Sequence, residues 1–212
     1  MKDTTLARIR KNRIIPVVVI EDAGVVLDLA DALLAAGLEV IEVTFRTAAA
    51  AEAISKLASA RPQMLIGAGT LLNEQNIRRA VDAGAHFGVA PGLNDQTVEA
   101  ARRAGFDFAP GVATPGEVER ALQLGCRLLK FFPAEQVGGV PMLKALEGPY
   151  RHTGVQFVPT GGIHLANMNH YLALDTVAAV GGSWFVGKKL ILAGDWAAIT
   201  ELTREAMAMR AI

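Results

Sequence analysis

Residues 83–133 repeat one structural unit, and the prediction of the fold starts from them: AGAHFGVAPGLNDQTVEAARRAGFDFAPGVATPGEVERALQLGCRLLKFFP. In each copy a helical pattern ends at a glycine, and a short apolar run follows it. Gly84, Gly105 and Gly125 lie 21 and 20 residues apart, and a glycine in this place suits the left-handed cap between a helix and the next strand. The stretch therefore predicts consecutive strand–helix units.

The same alternation extends over the whole chain of 212 residues. The predicted strands cover residues 14–20, 38–45, 64–70, 86–91, 106–112, 127–132, 156–160 and 176–180. The predicted helices cover residues 3–13, 25–36, 48–60, 74–83, 95–104, 115–124, 141–146, 165–172 and 196–209. Repeating units without a low-complexity linker favour a (β/α)8 TIM barrel over an open doubly wound sheet. We therefore predict an α/β fold: a single barrel domain over residues 1–212 with a short N-terminal helix.

Composition narrows the class of partner. Lysine plus arginine equals aspartate plus glutamate at 21 each, so no overall field favours nucleic acid or an anionic membrane. The only cysteine, Cys126, excludes an intrachain disulfide and a multi-cysteine metal site. No apolar run approaches the ~18 residues that a membrane helix needs, and the charged N-terminal residues do not resemble a secretory signal. We predict a soluble, cytoplasmic protein that binds small molecules or copies of itself.

One lysine lies inside an apolar run. Lys130 interrupts the predicted strand 127–132, and burial disfavours the charged form of an ammonium group, which makes the amine nucleophilic. The alternative is an edge strand whose lysine extends back to water, and the strand by itself favours this alternative. The rest of the sequence has to decide between the two.

Strand parity places charges at the barrel mouth. Glu42, Thr44 and Arg46 share one face of the second predicted strand, and Lys130 and Phe132 share one face of the sixth. An amine beside a carboxylate that moves protons is what Schiff-base chemistry on a ketone requires, and a guanidinium suits a substrate carboxylate. An internal Glu42–Arg46 ion pair without catalytic function is an equally good interpretation of those two residues alone.

Two glycine pairs follow the last two predicted strands. They are Gly161-Gly162 after Thr160, and Gly181-Gly182 before Ser183. In many barrels these two loops bind phosphate through backbone amides, although two ordinary tight turns are the alternative. A nicotinamide cofactor is not expected, because the sequence Gly67-Ala68-Gly69 lacks the third glycine of a dinucleotide fingerprint. The four histidines show no metal-site spacing.

Seven segments of the chain match the pattern of a known family: IEVTFRT (41–47), GAGT (67–70), APG (90–92), PGVATP (110–115), LKFFPAE (129–135), PTGGI (159–163) and GGSW (181–184). Taken together, these segments closely resemble the 2-keto-3-deoxy-6-phosphogluconate (KDPG) and 4-hydroxy-2-oxoglutarate (KHG) aldolases, which are class I, Schiff-base enzymes with a (β/α)8 barrel. The resemblance spans nearly the whole chain, and the combination is much more specific than any single motif.

The resemblance implies a role for each matching residue. Lys130 would form the imine, and Glu42 would be the general acid/base. The remaining roles are: Arg46 and Thr70 for the pyruvyl carboxylate, Pro91 and Phe132 for the pocket wall, Thr160 for the C4 hydroxyl, and Gly161, Gly162, Gly182 and Ser183 for the phosphate.

The resemblance also implies a substrate and an assembly. The substrate would be a phosphorylated 2-keto acid, 2-dehydro-3-deoxy-6-phosphogluconate, which is cleaved to pyruvate and glyceraldehyde 3-phosphate in the Entner-Doudoroff pathway. The enzyme would need no cofactor and no metal and would form a homotrimer. Three alternatives stay open: a 4-hydroxy-2-oxoglutarate or phosphogalactonate aldolase, a non-catalytic sugar-phosphate-binding barrel, and a metal-dependent aldolase.

Overall fold

The computed structural model describes residues 1–210 as a ring of parallel strands with helices outside it. The strands are β1 (Ile14–Val18), β2 (Val40–Thr44), β3 (Leu65–Gly69), β4 (Phe87–Val89), β5 (Asp107–Ala109), β6 (Gly111–Val112), β7 (Leu128–Phe131), β8 (Gln156–Pro159) and β9 (Val180–Gly182). The α-helices are α1 (Asp3–Asn12), α2 (Val26–Ala35), α3 (Ala50–Ala60), α4 (Glu74–Asp82), α5 (Asp95–Arg103), α6 (Pro115–Gln123), α7 (Gly139–Tyr150), α8 (Met168–Leu172), α9 (Lys188–Ala193) and α10 (Trp196–Met209).

The strands close on themselves in chain order. One run of paired strands is β5-β4-β3-β2-β1-β9, and the other is β6-β7-β8. The two runs join where β5 continues into β6 past Pro110, and again at the parallel bridges Phe157–Val177 and Thr160–Gly181. All the strand pairs are parallel, as helix crossovers require. This arrangement is the (β/α)8 barrel that the sequence predicts.

The repeated glycines adopt the predicted conformation. Gly84, Gly105 and Gly125 have φ angles of 89°, 61° and 81°, each directly after the last turn of a helix. A side chain is strained at these angles, so glycine is the residue that can end the helix and redirect the chain into the next strand. The local rule read from the sequence therefore operates in each of these units.

Helix α1 closes the N-terminal end of the barrel. Its Ile9 is 1% exposed, and its Thr5 hydroxyl donates to Asp107 Oδ2 at 2.6 Å, near the start of β5. The sequence predicts this helix as a polar segment, and the pattern alone does not indicate that one side of it is buried. Ile9 forms part of the floor beneath the barrel interior.

Several boundaries differ from the prediction. The eighth strand, predicted at 176–180, is β9 at Val180–Gly182, with only an isolated bridge at Val177. Helix α7 extends well beyond the predicted 141–146, and α9 was not predicted at all. A six-residue helix is too short to produce a clear periodic signal, and a Gly-Gly pair has low strand propensity. Across residues 1–210, none of the helices combines the length and the apolar character needed to cross a bilayer.

Candidate active site

Lys130 and Glu42 meet inside the barrel. Lys130 Nζ lies 3.0 Å from Glu42 Oε1, and the two residues are 7% and 3% exposed. Lys130 is on β7, flanked by β6 and β8, so it is not on an edge strand and does not extend back to water. The alternative Glu42–Arg46 ion pair is not formed, because the carboxylate of Glu42 pairs with the lysine from across the barrel.

Glycine on the neighbouring strand makes room for the carboxylate. A Cβ atom added to Gly69 on β3 would lie 2.2 Å from Glu42 Oε1. Since real Cβ atoms do not approach other atoms so closely, the Glu42 carboxylate could not keep this position if residue 69 had a side chain. In the sequence, Gly69 is the second glycine of an incomplete dinucleotide fingerprint. In the structure, its backbone is the surface over which the Glu42 carboxylate lies.

The wall around the pair is mainly apolar. A cavity of only about 10 Å³ lies between the two residues and the barrel floor, and Thr160 also lines it. Its other lining residues are Ile9, Ile15, Phe87, Val89, Ala109, Leu128 and Val158. The ring centroid of Phe132 lies 5.6 Å from Lys130 Nζ, a distance at which an aromatic face attracts a cation. The apolar wall keeps bulk water away from the amine on this side.

Thr70 and Pro91 follow strands that border the pair. Thr70 directly follows Gly69 and has a φ of 59°, an unusual angle for a β-branched residue. Pro91 follows β4, and its carbonyl group lies against Gly111, the residue paired with Lys130 on the neighbouring strand. Both residues are half-buried at the C-terminal ends of the strands, where barrel sites form.

Arg46 lies in the turn after β2 and is exposed. The strand ends at Thr44, so strand parity does not fix the direction of the Arg46 side chain. No hydrogen bond or ion pair to Arg46 is found among residues 1–210. The structure therefore does not bring Arg46 into contact with Lys130 or Glu42.

The two glycine loops lie side by side, although Gly181 and Gly182 form the end of β9 and do not follow it as the sequence predicts. Thr160 is bridged to Gly181, and its hydroxyl lies over the Gly181 backbone, where a Cβ would be 2.4 Å from Thr160 Oγ1. Gly161 and Gly162 have φ angles of 101° and 76°, which only glycine adopts readily. Gly182 is covered by the ring of Trp184, and Ser183 between them is exposed.

One contact next to these loops was not predicted. The Tyr171 hydroxyl on α8 donates to Oε1 of Glu135, which lies just beyond the end of β7. The sequence contains no signal for it, because 36 residues separate the two. Within residues 1–210, no group of three or more histidine, cysteine, aspartate or glutamate side chains is arranged to hold a metal ion.

Comparison with known proteins places this geometry in a family. The family model described as KDPG and KHG aldolase matches residues 6–202. The chain belongs to the KDPG and KHG aldolase family. It is 46% identical over 200 residues to the 2-dehydro-3-deoxy-phosphogluconate aldolase of Haemophilus influenzae, covering 94% of this chain and 93% of that protein. It is also 42% identical over 194 residues to the KHG/KDPG aldolase of Escherichia coli K12, covering 92% of this chain and 90% of that protein.

Solved structures of the family have the same barrel. The crystal structure of the KDPG aldolase of Legionella pneumophila, with pyruvate captured as a covalent carbinolamine intermediate, has a TM-score of 0.91 at 40% identity, covering 98% of both chains. The KDPG aldolase of Zymomonas mobilis ZM4, solved with 3-phosphoglycerate, has a TM-score of 0.89 at 40% identity, covering 98% of this chain and 97% of that one. These findings confirm the family and the fold predicted from the sequence.

Proposed function

We infer that this protein is a class I aldolase that cleaves 2-dehydro-3-deoxy-6-phosphogluconate to pyruvate and glyceraldehyde 3-phosphate. The observation that carries the inference is the 3.0 Å contact between Lys130 Nζ and Glu42 Oε1 inside a barrel of this family. Relatives that are named for this reaction support the substrate, and they align over nearly the whole chain.

Imine formation follows from the buried pair. We propose that Glu42 accepts a proton from Lys130, so that the neutral amine attacks the C2 carbonyl carbon of the substrate. The resulting carbinolamine loses its hydroxyl group as water after protonation and becomes a protonated imine. Glu42 lies within proton-transfer distance of Nζ and can return the proton for this step.

Carbon–carbon cleavage uses the imine as an electron sink. Loss of the C4 hydroxyl proton to Glu42 forms the aldehyde, and the electrons of the C3–C4 bond move to the imine nitrogen. Glyceraldehyde 3-phosphate leaves, and an enamine remains on Lys130. Protonation at C3 and hydrolysis of the imine release pyruvate and regenerate the amine. The apolar wall beneath the pair strengthens each of these electrostatic interactions.

The other site assignments are part of this proposal. Thr160 lines the same cavity as the pair and is assigned to the C4 hydroxyl, and Phe132 and Pro91 are assigned to the wall. The carboxylate end of the substrate is assigned to Thr70 and Arg46, and Arg46 would have to turn towards the mouth. The phosphate is assigned to four residues of the two loops: Gly161, Gly162, Gly182 and Ser183.

Borohydride trapping tests the mechanism directly. Incubation with pyruvate and borohydride should add one reduced pyruvyl group to the protein, located on Lys130 by peptide mass spectrometry. Lys130→Met should abolish the adduct and the turnover, whereas Lys56→Met, which removes a surface lysine paired with Glu52, should leave both unchanged. A folded protein that binds pyruvate or a sugar phosphate without any adduct on Lys130 would falsify the class I assignment.

Cleavage of 4-hydroxy-2-oxoglutarate is a second candidate activity. The relative from Escherichia coli K12 is named KHG/KDPG aldolase, which favours activity on both acids. The unphosphorylated acid has no group for the glycine loops to bind, so we expect it to be cleaved with a higher KM. Steady-state kinetics with both acids measures the ratio.

The trimer and the pathway are proposed on the resemblance, whereas the single domain and the location are proposed on the length, repeat pattern and composition of the chain. We propose that residues 1–212 form a single domain, that the protein is a cytoplasmic homotrimer, and that it acts in the Entner-Doudoroff pathway. Analytical ultracentrifugation of the purified protein tests the trimer.

A further inference from the structure

A tyrosine–glutamate contact connects helix α8 to the segment that follows β7, the strand of Lys130. Tyr171 is fully buried, and its hydroxyl donates to Oε1 of Glu135, four residues after the end of β7. Burial and the neighbouring Glu135 carboxylate raise the pKa of Tyr171, so its hydroxyl stays protonated and remains a donor at physiological pH. The proposed catalytic steps use neither residue.

Glu135 lies directly against the first glycine loop. A Cβ added to Gly162 would be 2.6 Å from Glu135 Cγ and 2.7 Å from its Cβ. The backbones are joined as well, because Glu135 N–H donates to the Gly161 carbonyl at 3.1 Å and Ala134 N–H donates to the Thr160 carbonyl at 2.8 Å. The stem of the Glu135 side chain therefore forms a wall along the loop, and Tyr171 fixes the end of that stem.

The charge of Glu135 matters because the glycine loops contain no lysine or arginine. Residues 160–164 are TGGIH and residues 181–184 are GGSW, so neither segment has a lysine or an arginine. A phosphate there would depend mainly on backbone amide and hydroxyl donors, and a freely rotating carboxylate nearby would repel it. The Tyr171 bond instead holds the carboxylate beside Gly139, where an added Cβ would lie 3.3 Å from Glu135 Oε1 and 3.2 Å from the Tyr171 hydroxyl.

We propose that Glu135 and Tyr171 are a positioning pair that sets the shape of the Gly161–Gly162 loop and thereby the enzyme's preference for a phosphorylated substrate. The inference rests on the proposed function, since it concerns the phosphate end of the same site. Neither residue touches the reacting atoms. The pair acts through the loop, and its loss should affect phosphate recognition more than carbon–carbon cleavage.

The test compares two substrates in the same variants. Tyr171→Phe removes the hydroxyl, leaves the ring and frees the carboxylate. We expect the KM for the phosphorylated acid to rise about tenfold, the effect of losing one hydrogen bond to a charged group, while kcat/KM for 4-hydroxy-2-oxoglutarate changes less than about twofold.

Glu135→Gln separates geometry from charge. The glutamine oxygen can still accept the Tyr171 hydrogen bond and carries no charge, so the KM for the phosphorylated acid should stay at or below the wild-type value. Combining Glu135→Gln with Tyr171→Phe should partly rescue the Tyr171→Phe defect, because the freed side chain is then neutral. Glu135→Ala removes the stem and should raise the KM as Tyr171→Phe does.

A second tyrosine–glutamate contact provides the matched control. Tyr150 on α7 donates to Glu119 Oε1 at 2.9 Å on the exposed surface, between α6 and α7. Tyr150→Phe makes the same chemical change away from the glycine loops. It should leave the kinetics of both substrates unchanged.

The outcomes distinguish this inference from the proposed function. If the wild-type protein forms no pyruvyl adduct on Lys130, the aldolase assignment fails and the pair has no substrate to select. If the adduct forms but Tyr171→Phe lowers kcat/KM for both acids equally, or for neither, the pair only supports the fold or has no role, and the positioning inference alone is overturned. A selective loss with the phosphorylated acid, together with rescue by Glu135→Gln, supports it.

Discussion

At the scale of single residues, the position of the Glu42 carboxylate depends on the absence of a side chain at Gly69. Gly69 has no Cβ, and its backbone provides the surface that the Glu42 carboxylate occupies on its way to Lys130. The carboxylate is the flexible partner in this contact, so a methyl group at position 69 would displace it without breaking the strand.

Gly69→Ala should therefore lower activity more than stability. In the proposed mechanism Glu42 moves protons at Lys130 Nζ, and a displaced carboxylate no longer reaches that atom. We therefore expect kcat to fall on the order of 10²-fold, the usual contribution of a general acid/base. Circular dichroism and thermal unfolding should show a folded protein.

Gly116→Ala is the matched control for this substitution, because an added Cβ at Gly116 meets no atom within 4 Å. It should keep full activity and should not lower stability, because Gly116 lies in the first turn of α6 with open space around it. If Gly69→Ala retained wild-type kcat, the carboxylate of Glu42 would not act from the position seen here.

The chemical types of the site residues are the feature of the site that the sequence predicts best. A lysine in an apolar run, a carboxylate of the right strand parity and two Gly-Gly pairs are all visible in the order of residues alone. Their contacts are less accessible: Glu42 has an equally good partner in Arg46, four residues away, and the partner that it contacts is Lys130, 88 residues away. Spacing along the sequence predicts contacts only between residues that are close in the chain. Contacts between distant residues depend on how the barrel closes.

At the scale of elements, helix α1 lines part of the barrel interior, although its polar composition did not predict this. Its Ile9 is 1% exposed and lines the small cavity that also contacts Glu42 and Lys130. The helix therefore does more than cover the barrel end, since it supplies part of the floor of the candidate active site.

Ile9→Ala should cost about 2–5 kcal/mol of unfolding free energy, as removal of a buried isoleucine side chain usually does. It should also lower kcat, because the enlarged cavity admits water beneath the buried pair. Denaturant unfolding and steady-state kinetics measure the two effects.

Ile199→Ala provides the comparison for Ile9. Ile199 is equally buried on α10 but does not line the cavity, so its substitution should cost similar stability and leave kcat unchanged. Equal kinetic effects of the two substitutions would show that α1 contributes only to folding.

Elements were predicted well where local rules act and poorly where they do not. The left-handed glycines and the helices before them followed from the sequence, because cap geometry is decided within one turn. Helix α9 was missed, because its six residues give little periodicity. Strand β9 was misplaced, because two consecutive glycines have low strand propensity and form a strand only beside a neighbouring strand.

At the scale of the whole molecule, stability should depend on pH through His86. The Nδ1 atom of His86 accepts a hydrogen bond from the Ile66 amide at 3.0 Å, which joins the start of the fourth unit to β3. Partial burial of the ring and the nearby Arg8 guanidinium lower the pKa of His86 below its usual 6.5. The native state therefore takes up this proton at a lower pH than the unfolded chain does.

The sign of the effect follows from that difference. Below pH 6.5, His86 binds a proton in the unfolded chain but not yet in the native state. Stability is therefore highest above pH 6.5 and falls as the pH drops through the native pKa of His86. Urea unfolding at pH 7.5 and 5.5 should show this loss. His86→Gln keeps an acceptor without a titrating group, and it should reduce the loss; an unchanged pH dependence would assign it to other groups.

The order of the residues was enough to predict the repeat, the helix caps, the residue types at the strand ends and, through their combination, the family. These features depend on backbone preference and alternation within about 20 residues, which local chemistry enforces. The contacts between distant groups became visible only in the folded barrel: Glu42 with Lys130, Ile9 beneath both, and Tyr171 with the Glu135 stem beside Gly162. These contacts form only when the ring of strands closes, because closure brings together strand ends and helices that are far apart in the chain.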